Sequence, residues 1–218
     1  MSALTLIIGN KNYSAWSLRP WLAMRHSGIA FEEILVPLLC DGYKEKLLAH
    51  SAAGKVPILK DGETTVWESL AILEYVAERF PDAGLLPDDP AARATARAAA
   101  AEMHAGFLAI RGNMPMNLRK SLPGRGRADG IDADVARVCA LWNECRARFG
   151  QDGPFLFGRF SIADAMYVPL VTRLRTYDVA VDDVSAAYCQ TILNLPAFLE
   201  WEAAGKAETW IIEEDEVE

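Results

Sequence analysis

Gly54-Lys55-Val56-Pro57-Ile58-Leu59-Lys60-Asp61-Gly62-Glu63-Thr64-Thr65-Val66-Trp67-Glu68-Ser69 reads as a β-hairpin that runs straight into a helix. Val56 to Lys60 is an apolar strand entered through a proline, Asp61-Gly62 is a tight-turn signal, and Thr64 to Trp67 is rich in β-formers. Ser69 then stands as the cap of a helix with Leu70, Leu73, Val76 or Ala77, and Phe80 on one face, closed by Pro81. Upstream, Leu4 to Ile8 is a short apolar strand ended by Gly9-Asn10. Ser17-Leu18-Arg19-Pro20 opens a helix, with Ser17 as its cap and Pro20 in its first turn. Gly28 stops that helix, Phe31 to Pro37 is a second strand, and Glu45 to His50 is a short helix. The order βαβ, an irregular helix, then ββα specifies a four-stranded mixed sheet with helices on its faces.

Leu85-Leu86-Pro87-Asp88-Asp89-Pro90 breaks the alternation, and beyond it the pattern is helical. Two domains are expected, at 1–82 and 88–218. Ala91 to Arg111 reads as one long alanine-rich helix, Asp132 to Phe149 as a second, and Ser161-Ile162-Ala163-Asp164 opens a third. In that last motif Ser161 and Asp164 form a reciprocal cap, a folding element and not a catalytic one.

The 218 residues are 51% hydrophobic and 24% charged, enough apolar material for a sizeable core. The net charge of −8 argues against nucleic acid as a partner. Part of it lies in Glu213 to Glu218, which reads as a frayed, solvated terminus. Cys40, Cys139, Cys145 and Cys189 form no Cys-x-x-Cys and no zinc spacing, so reduced thiols and no metal are expected. No signal peptide and no apolar run long enough to span a bilayer is seen, so a cytoplasmic protein without a membrane partner is expected.

Four features taken together resemble the cytosolic glutathione transferases, and the resemblance covers nearly the whole chain. The first is Tyr13-Ser14-Ala15-Trp16-Ser17-Leu18-Arg19-Pro20, similar to the catalytic segment of the serine-type, zeta-like and bacterial members, Ser-Ser-Cys-Ser-x-Arg. Ala15 and Trp16 depart from that pattern. Matching on Arg19 implies that Ser14 carries the active hydroxyl. Read locally, Ser14 and Ser17 are helix caps, and Tyr13 offers a competing hydroxyl beside Ser14. A cysteine thiol with a pKa of about 8.5 holds little thiolate at neutral pH. A hydroxyl at a helix N-terminus favours the anion. A shift of about two units needs only about 2.7 kcal/mol.

The second feature is Gly54-Lys55-Val56-Pro57, where the resemblance implies a cis peptide and a glutathione contact through Lys55, Val56 and Pro57; the local alternative is an edge-strand proline. The third is Glu68-Ser69, implied to hold the ammonium and carboxylate of the γ-glutamyl group at the helix N-terminus. The fourth is the capping box at Ser161 and Asp164. Glu102 resembles the acid that reaches glutathione across a dimer.

His104, Phe107 and Arg111, at i, i+3 and i+7, are expected on one helix face lining the electrophile site, with Arg173, Tyr177 and Tyr13 nearby. They serve there or make interdomain contacts. A cationic floor there suits a carboxylate-bearing or otherwise anionic substrate. The resemblance thus implies a thioredoxin-like N-terminal domain and an all-α C-terminal domain. It also implies a homodimeric, detoxifying glutathione S-transferase that moves alkyl or aryl groups, with glutathione as co-substrate. A glutathione-dependent cis–trans isomerase of the maleylacetoacetate type and a non-catalytic glutathione-binding module are the alternatives. A thioredoxin-like oxidoreductase is disfavoured because Gly9 to Ser17 contains no cysteine.

Overall fold

In the computed structural model of the chain, residues 4–217 are described; 1–3 and 218, which the expected domain ranges and the acidic tail include, lie outside the described residues. The first half comprises β1 (Leu4–Ile8), α1 (Ala15–His26), β2 (Phe31–Leu35), α2 (Tyr43–Leu48), β3 (Ile58–Asp61), β4 (Thr64–Trp67) and α3 (Ser69–Arg79). The strands form one sheet in the order β2-β1-β3-β4. β1 and β2 are parallel, while β3 runs antiparallel to both β1 and β4. This is the mixed sheet expected from the hairpin and the βαβ unit. β1 is buried on both faces: Leu6 and Ile8 enter the main core, and Ile7 enters a smaller cluster with Val36, Leu47 and Ile58. Alternation along a strand accounts for that division.

The second half is helical: α4 (Pro90–Ala105), α5 (Leu108–Asn113), α6 (Ile131–Phe149), α7 (Ile162–Thr176), α8 (Asp183–Leu193) and α9 (Pro196–Ala207). No helix among the described residues is long and apolar enough to cross a membrane. The main core is continuous across the halves, from Leu18, Leu22 and Ile72 through Val168 and Leu170 to Trp201. At α7 the capping box forms as expected. Asp164 Oδ2 accepts from the Ser161 N–H at 2.8 Å, and its buried Oδ1 accepts from Leu156 N–H and the Tyr188 hydroxyl.

Several local expectations are corrected. α1 begins at Ala15, capped by Ser14, so Ser17 lies inside it and Pro20 sits beyond the first turn. At α3, Glu68 occupies the cap position with φ +71° and no side-chain cap bond, and Ser69 is the first helical residue. The buried face of that helix is Ile72, Leu73, Val76 and Ala77; Leu70 and Phe80 are only half-buried.

The expected helix from 91 to 111 is two. Gly106 ends α4 with its N–H on the Glu102 carbonyl, where an added Cβ would stand 2.8 Å from that oxygen. Phe107 follows at φ +56° and turns into the core against Tyr167. His104, Phe107 and Arg111 therefore share no continuous helix face. Two side chains hold the break. Arg111 folds back onto the carbonyls of His104 and Gly106, and Asp134 of α6 accepts from the Ala109 and Ile110 N–H groups that open α5.

The acidic tail is packed, not frayed. Ile212 is buried, Asp215 is half-buried, and Glu216 is bonded by Tyr13, Asn117 and Lys120. An apolar anchor and complementary donors outweigh the chain entropy that would otherwise free it.

Candidate active site

The loop from Gly9 to Ser14 leads from β1 into α1, and other elements grip it throughout. Tyr13 and Ser14 N–H groups turn back onto the Asn10 carbonyl. The Asn10 side chain accepts from Leu38 N–H; that of Asn12 accepts from Leu118 and Arg119 N–H and donates to Asn117. From α9, the Trp201 indole donates to the Lys11 carbonyl at 2.9 Å, and Gly205 lies where an added Cβ would meet Asn12 N at 3.1 Å. The Glu208 carboxylate then accepts from Lys11 and Asn12 N–H.

The loop delivers Ser14 to the wall of a cleft of about 690 Å³ between the halves. Ser14 Oγ accepts from Ser17 N–H at 3.3 Å and lies 2.7 Å from Ser17 Oγ, to which it donates; Ser17 Oγ in turn accepts from Gly9 N–H. Either hydroxyl can donate across that contact, since hydroxyl protons rotate to suit their partners. Lys55 and Val56 line the same cleft, and the Val56–Pro57 peptide is cis, as the resemblance implied. Tyr13 lines it with its ring. Its hydroxyl, though, donates to Glu216 at 2.5 Å and accepts from Arg119 at 2.6 Å, and burial raises its pKa.

Glu68 and Ser69 sit at the neighbouring strand-to-helix turn and do not line this cleft. Glu68 is exposed and Ser69 fully buried, with its Oγ 3.5 Å from an Arg19 Nη1 that donates to it. Glu102 is held within its own chain by a two-pronged pairing with Arg137, at 2.7 and 2.8 Å.

Of the residues expected on the electrophile side, Arg111 and Arg173 line the cleft. Phe107 is core, and Tyr177 is buried with its hydroxyl donating to the Pro115 carbonyl. His104 stands against Trp16 with its ring centroid 5.4 Å away and its Nε2 3.9 Å from Glu68. Burial, with Arg19 adding repulsion, lowers the His104 pKa, so the imidazole is neutral at pH 7. Burial likewise lowers Arg173 to about 10 and Arg19 well below its ordinary value, with neighbouring arginines contributing. Both guanidinium groups stay charged at neutral pH.

Residues 13–79 match a family model described as the glutathione S-transferase N-terminal domain, and residues 127–204 one described as its C-terminal domain. A Caenorhabditis elegans protein named probable maleylacetoacetate isomerase is 39% identical over 189 residues, 85% of this chain and 86% of that protein. The chain belongs to the glutathione S-transferase family. Protein IN2-1 of Zea mays is 29% identical over 86% of this chain and 79% of its own length. A Burkholderia glutathione transferase homolog, solved with bound glutathione, shares the fold with a TM-score of 0.70. It is 22% identical, over 95% of this chain and all of that one (100%).

Three parts of this family member's cleft went unread in the sequence: Trp16, the Leu38–Leu39 rim, and the segment bearing Ile212 and Asp215. The polar pair Asn10 and Asn12, directly after an apolar strand, was the available signal for a tethered loop. No local pattern marks Ile212, which reaches the cleft only through tertiary contact.

Proposed function

We propose that the chain is a serine-type glutathione transferase in which Ser14 stabilises the glutathione thiolate for attack on an electrophilic carbon. The carrying observation is the hydrogen-bonded set of Gly9 N–H, Ser17 Oγ and Ser14 Oγ at the cleft wall, in which both Gly9 and Ser14 donate to Ser17. When both hydroxyls rotate so that Ser17 donates to Ser14, the Ser14 proton is free to point at sulfur, and the N-terminal end of α1 adds its positive potential. Tyr13 is the weaker candidate because its hydroxyl proton already goes to Glu216.

In this reading Lys55, Val56 and Pro57 hold the cysteinyl part of glutathione. Glu68 and Ser69 take its γ-glutamyl end, with Glu102 as the acid across a dimer. Bound glutathione in the Burkholderia neighbour supports the co-substrate. Arg111 and Arg173 face the electrophile with Tyr13 and His104, while Phe107 and Tyr177 pack behind them. The reading includes a division of domains between 82 and 88, a homodimer, a detoxifying role and a reducing cytoplasm, the last supported by four free cysteines. Ser14→Ala is expected to abolish conjugation of a generic aromatic electrophile while glutathione still binds. Full activity in that variant removes Ser14 from the role.

The 39% identity to the C. elegans protein favours a second reading, a glutathione-dependent cis–trans isomerase in which the thiolate adds and then leaves. It requires turnover of a cis-diacid with no net consumption of glutathione. A non-catalytic module would bind glutathione and turn over nothing on a broad electrophile panel.

A further inference from the structure

Several arginines of this chain meet carboxylates: Arg25 pairs with Glu200, Arg97 with Glu74, Arg137 with Glu102, and Arg175 with Glu202. Others, such as Arg93 and Arg146, donate to main-chain carbonyls. Three more converge on one place. Arg19, Arg111 and Arg173 line a second chamber of about 290 Å³, and none of them bonds to a carboxylate among the described residues. Arg111 and Arg173 donate only to main-chain carbonyls, which satisfy hydrogen bonds without neutralising charge. Arg19 is 1% exposed; its Nε has no partner, and its one hydrogen bond is the long one to Ser69. The Trp16 ring lies against two of the three, with centroid distances of 4.3 Å to Arg19 and 4.9 Å to Arg111. The acids at the margins are Asp215, which faces Arg173, and Glu68, beside His104. Neither hydrogen-bonds to the trio. Buried charge without a counter-charge is strongly disfavoured, and three converging guanidinium groups with an orphaned donor leave a place for an anion.

We propose that this chamber is a carboxylate subsite, in which Arg19, Arg111 and Arg173 hold the anionic end of an acidic, flat co-substrate against Trp16. Planar guanidinium groups match a carboxylate in shape as well as charge. Ala15, Trp16, Arg111 and Arg173 line both this chamber and the main cleft. A carboxylate bound here therefore leaves the attached unsaturated or aromatic carbon on the Ser14 side. The co-substrate half rests on the transferase reading; the anion site stands without it.

Two sets of measurements test the proposal. In the wild-type protein, benzoate is expected to raise the melting temperature and its neutral isostere benzamide not to. Arg111→Met should lose the benzoate shift and Arg111→Lys keep part of it. An equal shift from benzamide, no shift from benzoate, or a full benzoate shift in Arg111→Met overturns the subsite. In the kinetic arm, glutathione is conjugated to 4-chloro-3,5-dinitrobenzoate and to 1-chloro-2,4-dinitrobenzene. The ratio of their KM values should rise roughly 10- to 100-fold in Arg111→Met, the size of a lost charged hydrogen bond. A flat ratio overturns the co-substrate assignment. Absence of turnover with both compounds sinks the transferase reading instead, and the benzoate arm alone then decides the subsite.

Discussion

The two halves of the molecule equip the cleft by opposite means. The sheet half supplies Ser14 and Ser17, the Val56 backbone and the Trp16 ring. Chain order brings them near the ends of the strands, and the helical half then pins the loop that leads to Ser14. The helical half supplies charged groups, Arg111 and Arg173, whose positions depend on partners outside their own turns of helix. Arg111 is aimed by a break that Asp134 caps from another helix, and Arg173 by the carbonyls of Met114 and Pro169. Chemistry on the first side should therefore be separable from stability, and on the second side the two should move together.

The most damaging change to that contrast is Asp164→Ala in the helical half. It orphans the buried N–H groups of Leu156 and Ser161 and the Tyr188 hydroxyl, and urea unfolding should show a loss of about 3–4 kcal/mol. Burial also raises the Asp164 carboxyl to about 6, against its hydrogen bonds. The folded state therefore binds this proton more tightly than the unfolded chain, whose carboxyl titrates near 4, at about 3.9. The stabilisation is full below that pH and is lost as pH rises through about 6. The wild type should carry this slope, and Asp164→Ala should not.

Next in size is Ser14→Ala, which should abolish conjugation, with a loss of at least about 100-fold in kcat/KM toward every electrophile. The lost helix cap should cost only about 1 kcal/mol of stability. A parallel collapse of both quantities would erase the contrast between the halves. Asp134→Ala should be milder, at about 1 kcal/mol in unfolding, together with a raised KM for acidic co-substrates because α5 carries Arg111. Smallest is Tyr13→Phe, expected to change kcat/KM by less than about 3-fold, or under about 0.7 kcal/mol. A drop as large as that of Ser14→Ala would transfer the activating role to Tyr13.

The same contrast governs what could be read in advance. The β-hairpin, the βαβ unit and the capping box are written in neighbouring residues, and all appear, with strand ends shifted by up to two residues. β3 starts at Ile58 and not Val56, and β2 ends at Leu35 and not Pro37. The cap of α1 slipped from Ser17 to Ser14 because the two serines are locally equivalent choices, and that of α3 slipped from Ser69 to Glu68 against the side-chain preference for serine. What separates each pair is the buried contact of Ser17 with Gly9 and of Ser69 with Arg19. The break at Gly106 was hidden because its stabilising partner, Asp134, lies on another helix. The acidic tail misled for a related reason, since charge predicts solvation only where no complementary donors wait.

Those donors have a consequence for the order in which the protein comes into being. Glu208 receives the N–H groups of Lys11 and Asn12, with 197 positions separating Lys11 from Glu208. Folding during synthesis proceeds from the N-terminal side. The sheet can assemble early, but the loop that presents Ser14 waits for α9 and the segment after it before its geometry is complete. A ribosome that stops inside the helical half would release a sheet half whose cleft wall is unfinished.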